Sequence, residues 1–182
     1  FIASGVEYAK SELKKDKVSF LDMFSGSGVV SRFAKAHANY IIANDLEDYS
    51  HIINNCYLDN VDEKKLKILQ EFYHKLALKK NEFQKGFLST LYAPKNEKDI
   101  QRDDRVFYTK QNALYLDSMR LKIGREIPPE FQHFFIAPLI YEASVHSNTS
   151  GVFKGFYKDK SGVGKFGGSG QNALSRILGE IK

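Results

Sequence analysis

The 182 residues carry 42% hydrophobic and 27% charged side chains, the proportions of an ordinary globular protein, which speak against a disordered chain. No apolar stretch approaches a membrane span, and the opening FIASGVEYAK lacks the basic region and apolar run of a signal peptide. The lone Cys56 excludes an internal disulfide and a zinc cluster and points to a reducing, cytoplasmic compartment, while the net charge of +5 favours a polyanionic partner or simple solubility. The length suits one compact body with an insertion, and the absence of an initiator Met suggests a fragment.

Ile2, Val6, Ala9 and Leu13 recur at helical spacing and predict a helix over 1–15 closed by lysines. Val18 to Phe24 is a short apolar run ended by Ser-Gly-Ser-Gly, the pattern of a buried parallel strand meeting a glycine turn. Helical spacing resumes over 29–38, and Tyr40 to Asn44 reads as a second strand ending at Asp45, which completes a βαβ unit. From Asn60 to about Tyr92 apolar residues recur at helical intervals, predicting one long helix or two consecutive ones, with Asn60 and Glu63 as a capping box. The charged stretch 95–105 predicts a solvated loop. Thr109 predicts the N-cap of a helix to Ile123 that Gly124 and Pro128-Pro129 stop, followed by a helix over 130–146 with Pro138 inside it. On the first of these, Asp117 and Arg120 are expected to form a surface ion pair. Residues 148–170 are rich in glycine, aromatics and lysine, a loop or hairpin, and 172–181 return to helical spacing.

The chemistry concentrates at Asp22-Met23-Phe24-Ser25-Gly26-Ser27-Gly28, where strand becomes helix at the ligand-binding edge of an open α/β sheet. Glycines there admit a ligand close to the backbone. A dinucleotide fingerprint needs a glycine where Ser31 stands, and Asp22 just before the turn repels a pyrophosphate but not a cation. S-adenosyl-L-methionine, with its sulfonium and ammonium and no phosphate, fits better. Asp45, at the end of the second strand, suits both ribose hydroxyls, or else caps a helix starting near Glu47; the glycine turn upstream favours the ribose. Leu46 suits packing on the adenine ring.

On FLDMFSGSG and IANDLED the chain resembles the Dam-like adenine-specific DNA methyltransferases, through Asp22, Phe24, Gly26, Ser27 and Gly28 in one motif and Asp45 in the other. The words FYTKQNALYLDSMR and ASVHSNTSGVFKGFYK are similar to those between the cofactor and catalytic motifs of that family. The resemblance covers 18–58 and 107–182, with little to match in 60–106. It implies a partial Rossmann-like methyltransferase core of α/β class over 1–58, a mainly helical insert over 59–147, and a DNA-recognition region over 148–182. Its cofactor would be S-adenosyl-L-methionine, held by Asp22, Phe24, Ser25, Gly26, Ser27, Gly28, Asp45 and Leu46, and its partner double-stranded DNA, with a restriction endonuclease counterpart. The D-P-P-Y-type motif of such enzymes, which holds and stacks the flipped adenine, is absent, since Pro128-Pro129 stands between Ile127 and Glu130. The family order places that motif after Lys182 and a further glycine motif before Phe1, so this stretch alone is expected to be inactive.

Lys154, Lys158, Lys160 and Lys165 interleave with Phe153, Phe156, Tyr157 and Phe166. Such a segment is either a solvated face over core aromatics or a set of phosphate and stacking contacts, and the resemblance favours DNA contact through Lys154, Lys158 and Lys165. Asn148 and Thr149 either join that contact or order the turn. The rival readings are a non-catalytic DNA-binding module on the same scaffold and an RNA or small-molecule methyltransferase.

Overall fold

A computed structural model of the chain describes residues 1–149, 155–168 and 171–181. They fall into two units, Phe1–Ile68 and Leu69–Lys182.

In the first unit, helix α1 (Ile2–Leu13) buries Val6 and ends on Lys14 in the left-handed region, where Lys14 and Lys15 N–H groups return to the Ser11 and Lys10 carbonyls. Strands β1 (Val18–Asp22) and β2 (Ala38–Ala43) pair in parallel, with Asp22 beside Ala43. Between them runs α2 (Val29–Ala34), which packs on both strands and on α3 (Asp48–Leu58). This is a partial Rossmann-like α/β core. The helix expected over 29–38 is shorter, because three successive N–H groups from Lys35 to His37 bond three residues back and tighten the chain into a turn that feeds β2 at Ala38. The strand expected to be buried is covered on one face only. Val18 and Ala38 are buried, whereas Leu21, Tyr40 and Ile42 are exposed.

Helix α4 (Glu63–Lys75) spans the boundary between the units. Its first turn is capped by Asp62, which accepts from Lys65 N at 2.7 Å, so the Asn60–Glu63 box is replaced by the nearer acid. A single long helix does not follow: a 3-10 turn at Lys80–Glu82 and α5 (Phe87–Leu91) take up the rest. Thr109 caps α6 (Lys110–Glu126) as expected, its hydroxyl accepting from Asn112 N. The helix passes through Gly124, however, since the buried Ile123 holds this turn to the core and outweighs the glycine's cost of about 1 kcal/mol. It stops at Ile127, extended because a proline follows. A 3-10 turn at Pro129–Phe131 leads into α7 (His133–Val145), and α8 is Gln171–Leu178. The second unit's core gathers Ala93, Phe107, Tyr108, Ala113, Leu116 and Ile181. Asp117 makes no surface pair with Arg120. It is buried, and its carboxylate accepts Leu88 N at 3.0 Å and Ser89 N at 2.8 Å, capping α5 from α6.

Candidate functional site

The turn after β1 is built by hydrogen bonds from both strands. Asn44 N donates to Asp22 O at 2.8 Å and Ser25 N to Asn44 O at 2.9 Å, extending the ladder past the sheet. Gly28 N then returns to Ser25 O at 2.7 Å. Gly26 and Gly28 have φ of 50° and 70°, a region in which a side chain is strained. The two glycines differ in their surroundings. A Cβ on Gly26 meets nothing within 4 Å, whereas one on Gly28 would stand 2.3 Å from Asn54 Oδ1.

Both acids, Asp22 and Asp45, lie at this turn. Asp22 Oδ2 accepts the Ser31 hydroxyl at 2.7 Å, which fixes the end of β1 to the first turn of α2, and Ser31 is fully buried. Asp45 Oδ2 accepts Gly26 N at 2.7 Å and Oδ1 accepts Glu47 N at 3.1 Å. These bonds, that from Gly26 first, hold its carboxyl below the usual aspartate range. The side chain of Glu47, the residue that precedes α3, makes no cap; Asp45 Oδ1 takes the Glu47 N–H at the entry to that helix, while Oδ2 ties the ends of β1 and β2 together. A carboxylate has about four acceptor positions, and the two protein bonds leave room for further donors.

Around these acids Phe24 and Leu46 are 85% and 95% exposed, two large apolar side chains directly after the carboxyl ends of the strands. Ser25 is buried and Ser27 exposed at the tip of the turn. This donor and acceptor set suits a cationic nucleoside: apolar surface for a base, an acid for a ribose, and carboxylates for positive charge. Three contributing residues were not anticipated from the sequence. Ser50 and Asn54 on α3, and Asn44, join Ser25 in one network. Ser50 and Asn54 stand four residues apart, a buried polar pair on a helix face that periodicity scored by apolar residues passes over.

In the second unit, the described part of the basic aromatic segment, 155–168, contains a short hairpin, one of the two expectations. Thr149 bridges Phe156, Lys158 bridges Gly164, and Lys165 N donates to Tyr157 O at 2.9 Å. Asp159 closes the tip, accepting from Ser161 N, Ser161 Oγ and Val163 N, with Gly162 at φ 84°. Lys158, Lys160 and Lys165 are exposed, and Phe156 packs edge-on to Phe107 with ring centres 5.0 Å apart. Lys154 and Phe153 lie outside the described residues. Asn148 is fully buried: its amide hydrogens go to Val106 O at 2.6 Å and Lys165 O at 2.8 Å, and its oxygen accepts Gly167 N at 3.2 Å. Of the two roles open to Asn148, these bonds are those of ordering the turn. Thr149 is half-buried, its hydroxyl 3.3 Å from that of Ser147.

The second unit also has a mainly apolar cavity of about 590 Å³, whose lining includes Leu76, Tyr115, Met119, Ile123, Phe134 and Leu139. Among the described residues no cluster of three or more His, Cys, Asp and Glu could hold a metal ion, and no helix is long and apolar enough to cross a membrane.

Residues 6–163 match the family described as D12 class N6 adenine-specific DNA methyltransferase. Among curated proteins, the chain is 28% identical over 151 residues to the type II methyltransferase M.NlaIII of Neisseria lactamica, a match covering 79% of this chain and 42% of that protein. It is 28% identical over 142 residues to the type II methyltransferase M.CviAII of Paramecium bursaria Chlorella virus 1, covering 76% and 41%. It is 26% identical over 167 residues to the modification methylase LlaI of Lactococcus lactis subsp. lactis, covering 84% and 26%. The chain thus spans between a quarter and about two-fifths of the length of these relatives. No solved structure matches it significantly.

Proposed function

The chain belongs to the D12 class N6 adenine-specific DNA methyltransferase family, and from that premise we propose that it holds the S-adenosyl-L-methionine site and a DNA-recognition segment of an enzyme that methylates the exocyclic amine of adenine in duplex DNA. The observation that carries the proposal is the Asp45–Gly26 hydrogen bond, which holds an acid with acceptor capacity to spare at the glycine turn, in the two loops that also carry the exposed Phe24 and Leu46.

The family implies S-adenosyl-L-methionine as methyl donor, and the residues fit it. Asp45 would accept the ribose hydroxyls, Phe24 and Leu46 would flank the adenine, and Asp22 would face the positive charge, with Ser25, Gly26, Ser27 and Gly28 supplying a close-packed backbone. When bound, the cofactor supplies an electrophilic methyl group. The chain's own task is to bind and orient it.

Residues 1–58 form the cofactor part of this proposal, 59–147 the mainly helical insert, and 148–182 the recognition region. There Lys158 and Lys165 would neutralise phosphates, joined by Lys154 and Thr149, while Asn148 holds the hairpin that presents them. Adenine must leave the base stack for its amine to be reached. No acid-proline-proline-aromatic motif occurs in the 182 residues, so the group that holds the flipped base is not among them. A restriction endonuclease counterpart and a cytoplasmic location belong to the same proposal, the first in keeping with the type II designation of the relatives and the second with a single cysteine. Transfer of a labelled methyl group from S-adenosyl-L-methionine to duplex DNA tests it.

A further inference from the structure

We propose that Asn54 is a positioning residue for the cofactor turn: from α3 it fixes the Ser25–Gly28 segment in its binding conformation and makes glycine obligatory at position 28. The inference rests on the reading of that turn as the S-adenosyl-L-methionine site.

The side chain of Asn54 is only 7% exposed. Its Nδ2 donates to Ser50 O at 2.9 Å, and lies 3.1 Å from Ser50 Oγ and 3.0 Å from Ser25 Oγ. Ser25 Oγ in turn donates to Asn44 O at 3.1 Å. One amide therefore links α3, the turn and the end of β2. Its orientation is fixed, because a backbone carbonyl such as Ser50 O can only accept, so nitrogen must face Ser50 and oxygen the other way. That oxygen points at Gly28 and has no hydrogen-bond partner among the described residues.

A buried amide oxygen without a partner is costly, and an apolar side chain of the same shape would avoid that cost. The donor half of the amide is the part the turn uses. The oxygen half closes the space behind Gly28, where a Cβ would meet it at 2.3 Å. Gly26 supplies the internal comparison, since it shares the left-handed backbone but has open space at its Cβ position.

The test uses the protein produced from its complete gene. Asn54→Ala should keep the fold by thermal melting, weaken S-adenosyl-L-methionine binding by about tenfold in calorimetry, and raise its KM while kcat at saturation holds. Exchange of the Gly28 amide hydrogen, bonded to Ser25 O, should accelerate in the same variant. Gly28→Ala should lose more affinity than Gly26→Ala, and less when Asn54 is already alanine, because the blocking oxygen is then gone. Unchanged affinity and unchanged Gly28 exchange in Asn54→Ala would overturn the proposal, as would strict additivity of Gly28→Ala and Asn54→Ala. Should Asn54→Ala fail to fold, equal losses in Gly26→Ala and Gly28→Ala would overturn it, and a larger loss at Gly28 would support it. A wild-type protein that binds no S-adenosyl-L-methionine overturns the site reading as well, whereas binding that is indifferent to Asn54 overturns this inference alone.

Discussion

The carboxylate of Asp45 accepts the backbone N–H of Gly26 at 2.7 Å, so the acid that ends β2 also holds the glycine turn that follows β1. A residue in that position acts on a ligand twice, directly through its remaining acceptor positions and indirectly through the turn. Asp45→Ala removes both effects and should weaken S-adenosyl-L-methionine binding by about tenfold or more in calorimetry. Asp45→Asn keeps one acceptor and should fall between. The lowered carboxyl pKa fixes the sign of a pH effect: the contribution of Asp45 to stability is complete above its unfolded pKa of about 4 and is lost as pH falls through the lower folded value. The melting difference between wild type and Asp45→Asn should hold steady from about pH 5 to 8 and shrink below about pH 4. A difference that grows on acidification contradicts the assigned hydrogen bonds.

Asn148 makes a separate prediction about the hairpin. Replacing it by alanine strands the Val106 and Lys165 carbonyls and the Gly167 N–H, and should destabilise the protein by about 2–3 kcal/mol in denaturant melts. DNA affinity should fall with it, through loss of hairpin order. A stability within about 0.5 kcal/mol of wild type would contradict the turn-ordering role and favour the DNA contact that its sequence context equally allowed.

The parts of the fold legible from sequence were those in which local chemistry and final environment agree. Val18 to Asp22 ends at glycines, Thr109 precedes a helix, and both features stand in the structure. Asp117 shows the opposite case. Its spacing from Arg120 suggests a surface pair, but the partners that matter are Leu88 N and Ser89 N, some thirty residues earlier, which no local rule reaches. Asn54 was hidden for the same reason, since its meaning depends on Ser25 and Gly28, brought beside it only by folding. Gly124 misled because an exposed glycine is tolerated within a helix when its neighbour Ile123 is buried.

The exposed lysines of the hairpin lead to a prediction about salt. Replacing Lys158 and Lys165 together by alanine should weaken duplex binding and flatten its salt dependence, reducing the slope of log affinity against log salt by about 0.9 for each phosphate that is no longer neutralised. Lys158 also lies 5.2 Å from the Phe156 ring centre, so Lys158→Arg should largely keep binding. An unchanged slope in the double variant would make the hairpin a solvated face.

Adenine methylation in duplex DNA is decided by the product of methyl transfer. The protein from its complete gene should be incubated with methyl-labelled S-adenosyl-L-methionine and duplex DNA, the DNA digested to nucleosides, and the label followed chromatographically. The expected label is in N6-methyldeoxyadenosine, lost or strongly reduced in Asp45→Ala, and absent with the 182 residues alone, which lack the motif that positions adenine. Label in cytosine, in RNA but not DNA, or in adenine from the 182 residues by themselves would contradict the assignment.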